Sequence, residues 1–245
     1  MTVSTPHPPL LVFDLDGTLA ETAGDLIATL NVILEREGAA QLAFATARNM
    51  VGHGARALIR RGLAQSGKEV TPAHLEQMFM EFLVHYEAHI ADHSFLYPGV
   101  VKALDRFAAA GFSFAVCTNK IEHASVKLLQ ALGVADRFAA ICGQDTFAAS
   151  KPDREALLQT IAKAGGTPAR SWMVGDSRTD IDTAKAAGVP VIAVDFGYTD
   201  VPVTQLGPDR VISHFDALWD AVAELSGEKP GGASARRLTS VVPSA

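Results

Sequence analysis

The chain contains 245 residues, of which 48% are hydrophobic and 20% are charged, and its formal net charge at pH 7 is -6. This composition is typical of a globular protein with enough apolar residues for one large domain, or for a domain with an insert. Because the sequence holds no run of Lys and Arg, we expect no nucleic-acid partner. No apolar stretch approaches the length needed to cross a membrane, so we expect no membrane partner either.

The N-terminus and the cysteines indicate the compartment. Residues 1–9 contain three prolines and lack a basic start followed by an apolar stretch, so no signal peptide is expected. Cys117 and Cys142 are the only cysteines, and each lies in or beside an apolar run. This placement favours reduced thiols in the core over a disulfide. The sequence therefore predicts a cytoplasmic protein, and it gives no indication of the oligomeric state.

The first predicted element is a short buried strand over residues 10–14, which ends in the acidic sequence Asp14-Leu-Asp16-Gly17-Thr18. Open α/β sheets bind ligands at the carboxyl ends of their strands. Two carboxylates at that edge require a cation or a chemical task, because burying unpaired anions is costly. The glycine and the hydroxyl suit a tight loop around an oxyanion. These features suggest a Mg²⁺-dependent enzyme that transfers phosphate through an aspartyl intermediate.

Residues 20–94 have the pattern of helices almost throughout. Apolar residues recur at helical spacing over 25–37, and further helices are predicted over 55–64 and from Pro72, after Thr71, to about residue 90. This block interrupts the strand pattern after the first strand. We therefore expect it to form a separate helical cap.

From residue 97 onward, predicted helices and strands alternate, which is typical of a parallel sheet with helices on both faces. The predicted strands cover 112–117, 138–142, 171–174, 191–194 and 210–212, and the predicted helices cover 100–110, 122–132, 153–164, 179–187 and 215–225. The expected fold is a doubly wound, parallel-sheet, Rossmann-like α/β core with an inserted helical cap. The expected division is a core of 1–19 and 95–225, a cap of 20–94 and a disordered tail of 226–245.

Three further places carry polar residues suited to a phosphate site. Thr118 and Asn119 follow the strand that ends at residue 117, where a hydroxyl, an amide and backbone N–H groups can bind phosphate oxygens. Asp176 follows the strand near residue 174, with Asp180 one turn further on, and such carboxylates suit a hard cation. Lys151 precedes a predicted helix, where its ammonium can neutralise phosphate and carboxylate together.

The order DLDGT, TN, KP and GDSRTD, spread over residues 14–180, resembles the haloacid dehalogenase superfamily of aspartate-nucleophile phosphatases. The resemblance implies that Asp14 attacks phosphorus and forms an aspartyl-phosphate, while Asp16 protonates the leaving alkoxide and then deprotonates water. It also implies a Mg²⁺ ion held by the carboxylates of Asp14 and Asp176 and the carbonyl of Asp16. The residues expected around these ligands are Asp180 and Thr18. The residues expected to hold the phosphoryl oxygens are Thr118, Asn119 and Lys151.

Within this superfamily, four segments resemble the phosphoglycolate phosphatases. They are Val51-Gly-His-Gly54 with Arg56, Leu96-Tyr-Pro-Gly-Val100, Thr118-Asn119-Lys120 and Phe196-Gly197-Tyr198. The resemblance implies hydrolysis of a small anionic phosphate monoester, 2-phosphoglycolate, to glycolate and phosphate. The candidates for contact with the rest of the substrate are His53, Arg56 and Lys120.

The sequence departs from this pattern at two places. Ile121 stands where relatives commonly have proline, and Ala20-Glu21-Thr22 stands where they often have Asp-Ser. Neither departure is expected to touch the core catalytic positions. By the same resemblance, the cap is expected to close over the substrate, with hinges near 19–22 and 92–98.

Other functions remain open at this point. A sugar-phosphate phosphatase or a β-phosphoglucomutase-like phosphomutase would use the same Asp14 and Asp16. A phosphonate hydrolase would need a cap lysine, and the only lysine between residues 20 and 94 is Lys68, in a polar turn. A haloacid dehalogenase has no need of an acid at Asp16. A non-catalytic phospho-ligand-binding protein would not require a nucleophile and an acid/base.

Three local patterns have simpler structural interpretations. The sequence at 52–57 matches the alanine variant of a dinucleotide fingerprint, but it follows a helical stretch over 44–50 instead of a strand. His85 and His89 are four residues apart on a helix without an evident third metal ligand. The acidic motif lacks the glycine that a calcium loop places at its sixth position, where Leu19 stands here.

Overall fold

The computed structural model describes residues 7–52, 54–199 and 201–227. Its strands, in chain order, are β1 (Leu10–Phe13), β2 (Ala20–Glu21), β3 (Phe95–Leu96), β4 (Ser113–Cys117), β5 (Ala140–Cys142), β6 (Ser171–Gly175), β7 (Val191–Val194) and β8 (Arg210–Ile212). Its α-helices are α1 (Ala23–Arg36), α2 (Phe44–Ala47), α3 (Ala55–Gln65), α4 (Pro72–Ala88), α5 (Val100–Ala109), α6 (Glu122–Ala131), α7 (Arg154–Lys163), α8 (Arg178–Ala187) and α9 (Leu218–Leu225).

Six strands form one parallel sheet in the order β5-β4-β1-β6-β7-β8. The central strand β1 is buried along its whole length because it pairs with β4 on one side and β6 on the other. Leu11 and Phe13 pack on the face that carries α5, α6 and α9, whereas Leu10 and Val12 pack on the face that carries α7 and α8. Side chains of a strand alternate between the two faces of a sheet, so the apolar run is buried from both sides. The doubly wound Rossmann-like fold is confirmed.

Several observed elements differ at their ends from the sequence prediction. Strand β1 ends at Phe13, so Asp14 lies just beyond the sheet edge instead of within the strand. The predicted strand over 138–142 is reduced to β5, because residues 135–137 form a 3-10 turn first. The last predicted helix divides into a 3-10 turn over 215–217 and α9.

The helical segment from α1 to α4 leaves and rejoins the sheet through two adjacent linkers. Strands β2 and β3 pair antiparallel, with Ala20 opposite Leu96 and Glu21 opposite Phe95. The sequence gives no signal for this two-residue ladder, since no periodicity is visible over two residues. The expected hinges lie at these linkers, and their movement stays a prediction. The division into core and cap at residues 19/20 and 94/95 also stays a prediction.

Within the helical segment, α1, α3 and α4 pack on one another and share a buried apolar core with the adjoining face of the sheet. Cys117 and Cys142 are both buried and unbridged, which confirms the prediction of free thiols. Among the described residues, no helix is both long enough and apolar enough to cross a membrane. Of the expected tail, residues 228–245 lie outside the described residues.

Candidate active site

The carboxyl edge of the sheet brings the chemically distinctive residues of the sequence together. Asp14 follows β1, Thr118 follows β4, Asp176 follows β6, and Lys151 precedes α7. They meet beneath the helical segment, beside a cavity of about 50 Å³ that is partly open to solvent. The sheet-side residues that line it are Asp14, Asp16, Thr118, Asn119, Lys120, Ile121, Ala124, Gln144, Lys151, Ser177 and Thr179.

Lys151 is a buried cation between two carboxylates. Its Nζ lies 2.9 Å from Asp14 Oδ1 and 2.5 Å from Asp180 Oδ1. Burial alone would lower the pKa of the Lys151 ammonium, but the two carboxylates outweigh burial and raise that pKa above its usual range. The lysine is therefore a fixed positive charge beside Asp14.

The carboxylates at this edge outnumber the cations that neutralise them. Burial is the main cause that raises the pKa of Asp14 from 3.8 to about 6, and repulsion by Asp180 and Asp16 adds to it against the attraction of Lys151. Burial and the charges of Asp180 and Asp14 likewise raise the pKa of Asp176 well above its usual range. Such a cluster retains an unmet demand for positive charge.

Asp14, Asp176 and Asp180 place one carboxylate oxygen each within 4.8 Å of one another. Asp14 Oδ1 is buried and accepts no hydrogen bond from the described residues, because the ammonium of Lys151 approaches it outside hydrogen-bond geometry. Asp180, by contrast, is fully engaged, since its second oxygen accepts from the N–H and hydroxyl of Ser177 at the start of α8. Asp14 is therefore the carboxylate of this group that keeps a free oxygen for a cation.

The loop after β1 and the loop after β7 hold Asp176 from both sides. Thr18 Oγ1 donates to one oxygen of Asp176 at 3.0 Å, and the N–H of Tyr198 donates to the other at 2.6 Å. A Cβ atom at Gly17 would lie 2.4 Å from Asp176 Oδ2, and one at Gly197 would lie 2.3 Å from the same oxygen. Only glycine permits this close approach, and Gly17 also has a φ of 85°.

Asp16 and Lys120 form the second ion pair of the cavity. Lys120 Nζ lies 2.9 and 3.1 Å from the two oxygens of Asp16. Burial would lower the pKa of Lys120, but Asp16 outweighs it, so that pKa lies above its usual range. The hydroxyl of Thr22 also donates to Asp16, at 2.7 Å. The expectation that the departure at residues 20–22 does not touch a core catalytic position is therefore wrong.

Thr118 and Asn119 lie on the loop that follows β4, directly before Lys120. The Thr118 hydroxyl accepts from the N–H of Lys120 at 3.2 Å, which leaves its own proton free to be donated. Asn119 Nδ2 donates to the carbonyl of Lys151 at 3.1 Å, so this amide also fixes the lysine loop.

Of the three residues expected to contact the rest of the substrate, only Lys120 is shown in the cavity. Arg56 forms a bidentate ion pair with Glu76, with both N–H···O contacts at 2.7 Å. Its guanidinium also stacks on Phe79, with the central carbon 3.5 Å from the ring centroid. Its charge is met on the exterior of the helical segment. His53 lies outside the described residues.

A polar network that sequence reasoning missed connects the helical segment to the sheet. Arg48 donates to the carbonyls of Phe196 and Gly197 and pairs with Glu21 at 3.2 Å. The hydroxyl of Tyr198 accepts from the N–H of Thr22 at 2.6 Å and donates to Glu21. The only sequence signal was the resemblance at residues 196–198, which gave no partner for any of them.

These features define a class of enzyme that binds an anionic substrate at a buried cluster of aspartates and lysines. A family model for haloacid dehalogenase-like hydrolases matches residues 11–194, so the chain belongs to that family. Phosphoglycolate phosphatases are among its relatives. That of Mesorhizobium japonicum is 51% identical over 216 residues, 88% of this chain and 95% of the relative. That of Agrobacterium fabrum is 47% identical over 221 residues, 90% and 95% of the two chains.

Solved structures agree with this placement. A structure described as a predicted phosphoglycolate phosphatase from Haemophilus somnus 129pt superposes with a TM-score of 0.81 and 28% identity. The superposition covers 89% of this chain and all of the other. The chain is accordingly a phosphoric monoester hydrolase of the haloacid dehalogenase-like family.

Proposed function

We propose that the protein is a Mg²⁺-dependent phosphatase that hydrolyses 2-phosphoglycolate to glycolate and phosphate through an aspartyl-phosphate on Asp14. The observation that carries this proposal is the presence of two separate buried ammonium groups in one cavity. Lys151 lies beside Asp14, and Lys120 lies beside Asp16. A substrate with one anionic group at each end matches this arrangement. The name of the relatives that share up to 51% identity supports the same substrate.

The donor set fits a hard divalent cation. All candidate ligands are oxygens, which is the preference of Mg²⁺, and Asp14 retains a buried oxygen without a hydrogen bond. The carboxylates of Asp14 and Asp176 and the carbonyl of Asp16 would hold the ion, with Thr18 and Asp180 fixing the loops around it. When bound, the cation would neutralise the phosphoryl oxygens and the nucleophile as they approach one another.

In the first step, Asp14 attacks phosphorus and the P–O bond to glycolate breaks, while Asp16 gives its proton to the leaving oxygen. In the second step, Asp16 takes a proton from water, the water attacks phosphorus, and phosphate leaves Asp14. Lys151, with the Thr118 hydroxyl, binds the phosphoryl oxygens as charge develops on them. Phosphate-monoester hydrolysis can require up to ~10²¹-fold acceleration, about 29 kcal/mol, so nucleophile, cation and clamp must act together.

The lining of the helical segment favours a compact substrate. Apart from the Tyr86 hydroxyl, its described lining residues present apolar side chains or backbone, including Leu26, Val51, Leu58 and Phe82. A sugar phosphate would bring several hydroxyl groups against this surface and leave them unpaired.

Phosphate release from a panel of monoesters, with and without Mg²⁺, tests the proposal. The panel contains 2-phosphoglycolate, glucose 1-phosphate, glucose 6-phosphate, a nucleotide monophosphate, pyrophosphate and phosphoserine. We expect Mg²⁺-dependent release with a clear preference for 2-phosphoglycolate. Fast turnover of a sugar phosphate with no turnover of 2-phosphoglycolate would reject the substrate, and isomerised glucose phosphate among the products would indicate a phosphomutase.

A further inference from the structure

Tyr86, on the buried side of α4, carries a hydroxyl group whose proton has no acceptor among the described residues. The residue is 1% exposed and lines the same cavity as Asp16 and Lys120. Lys120 Nζ lies 4.5 Å from the centroid of the tyrosine ring and acts on the hydroxyl oxygen as a donor and a positive charge, so the hydroxyl proton itself has no acceptor. An unpaired buried hydroxyl lowers stability, and a phenylalanine would fill the same space without that loss. This cost indicates a partner that arrives with the substrate.

The hydroxyl is a donor under ordinary conditions. Burial raises the pKa of Tyr86 to about 12, and the nearby positive charge of Lys120 reduces the rise only in part. The proton therefore stays on the oxygen at neutral pH. A neutral phenol next to an ammonium is suited to a ligand that accepts hydrogen bonds and bears negative charge.

The N-terminal end of α3, which also lines the cavity, likewise favours a negatively charged ligand. Gly54 and Ala55, at its N-terminus, line the cavity. No side chain caps this end, and its first turn contains no acidic residue. Free N–H groups and the positive end of the helix dipole are therefore available to an anion.

We propose that Tyr86 is a specificity-determining residue whose hydroxyl donates a hydrogen bond to the carboxylate of the substrate. Lys120 and the amides at the start of α3 would complete this carboxylate subsite. The inference rests on the proposed function, because it requires a substrate with a second anionic group. Leu26 and Phe82 also line this cavity, and apolar surroundings strengthen such a bond.

The test compares two substrates of nearly equal shape. Ethyl phosphate has a methyl group where 2-phosphoglycolate has its carboxylate. We expect Tyr86→Phe to lower kcat/KM for 2-phosphoglycolate about 10- to 100-fold, the usual range for a hydrogen bond to a charged group. Ethyl phosphate should change less than about twofold, since it offers the hydroxyl no acceptor. The ring and its stacking on Phe82 remain in the variant.

Stability provides a readout that does not depend on substrate. Removing an unpaired buried hydroxyl is expected to leave the thermal midpoint unchanged or to raise it, whereas a structural hydroxyl would lower it. Tyr97→Phe is the matched control. Its hydroxyl donates to Glu21 at 3.0 Å and lies outside the cavity. That variant should keep the wild-type ratio of kcat/KM for the two substrates, while its thermal unfolding midpoint falls.

The outcomes separate this inference from the proposed function. Equal losses on both substrates in Tyr86→Phe, or no loss on either, would overturn the role of Tyr86 while 2-phosphoglycolate hydrolysis stands. A wild-type enzyme that hydrolyses both substrates equally well, or prefers neither to a sugar phosphate, would reject the proposed substrate and the subsite together.

Discussion

Removing the charge of Asp14 is expected to abolish turnover and, at the same time, to stabilise the metal-free protein. Its pKa is raised from 3.8 to about 6, chiefly by burial and also by the negative charges of Asp180 and Asp16. At pH 7 the folded protein must ionise a carboxyl group that the unfolded chain ionises freely. A pKa difference of this size corresponds to about 3 kcal/mol in the free energy of unfolding.

The pH dependence of this stability difference follows from the upward shift in the pKa of Asp14. Between pH 3.8 and about 6, folded wild-type protein keeps a proton on Asp14 that the unfolded chain has released. Stability therefore falls as pH rises through this interval. Asp14→Asn does not lose stability in this way. Its free energy of unfolding should therefore exceed that of wild type by the full amount at pH 7, and the difference should vanish near about pH 4. For a chain of this size, about 3 kcal/mol corresponds to about 6–12 °C in the unfolding midpoint.

The assay is thermal unfolding in the presence of a chelator at several pH values, with phosphate release measured on the same samples. Asp182→Asn, at an exposed aspartate of α8, is the matched control and should match wild type in both measurements. Excess Mg²⁺ should stabilise wild type more than Asp14→Asn, because the variant has lost a candidate ligand. A variant that is less stable than wild type without metal at pH 7, or a gain independent of pH, would refute the electrostatic argument.

Three further substitutions test the supporting structure. Gly17→Ala forces a Cβ to within 2.4 Å of Asp176 Oδ2 and should lower kcat/KM at least ~100-fold with weaker Mg²⁺ binding by calorimetry; normal metal affinity would contradict this. Ser177→Ala removes the N-cap of α8 and should lower the free energy of unfolding, measured in urea, by about 1 kcal/mol; an unchanged value would show that the cap is dispensable. Arg48→Leu removes the donor to the loop carbonyls at 196–197 and should speed amide exchange of Tyr198 about 10-fold; unchanged exchange would show that other contacts hold the loop.

The sheet and its acidic edge could be predicted from the sequence because their signals are local. A continuous apolar run such as Leu10–Phe13 is typical of a strand buried on both faces. Once several such strands are parallel, the residues that follow them must share one edge. The meeting of Asp14, Thr118 and Asp176 therefore follows from topology without any knowledge of side-chain packing.

Contacts between the helical segment and the sheet could not be predicted in this way. Tyr86 lies four residues after Phe82 on one buried helix face, and that pattern indicates a core residue without showing what it faces. Thr22 contacts Asp16 only because the linker turns back over the acidic loop. Arg56 has a compatible charge for a carboxylate, but its reach toward Glu76 on the next helix decides its direction.

Tyr198 connects the carboxylate of Asp176 with the linker that enters α1. Its backbone N–H binds the carboxylate of Asp176, while its hydroxyl accepts from the N–H groups of Thr22 and Ala23 where the linker enters α1. A ligand that changed the geometry at Asp176 would therefore act on the linker as well. If the linker moves when substrate binds, substrate binding and binding at Asp176 would affect each other reciprocally. Cation binding at Asp176 and access to the cavity would thus depend on each other.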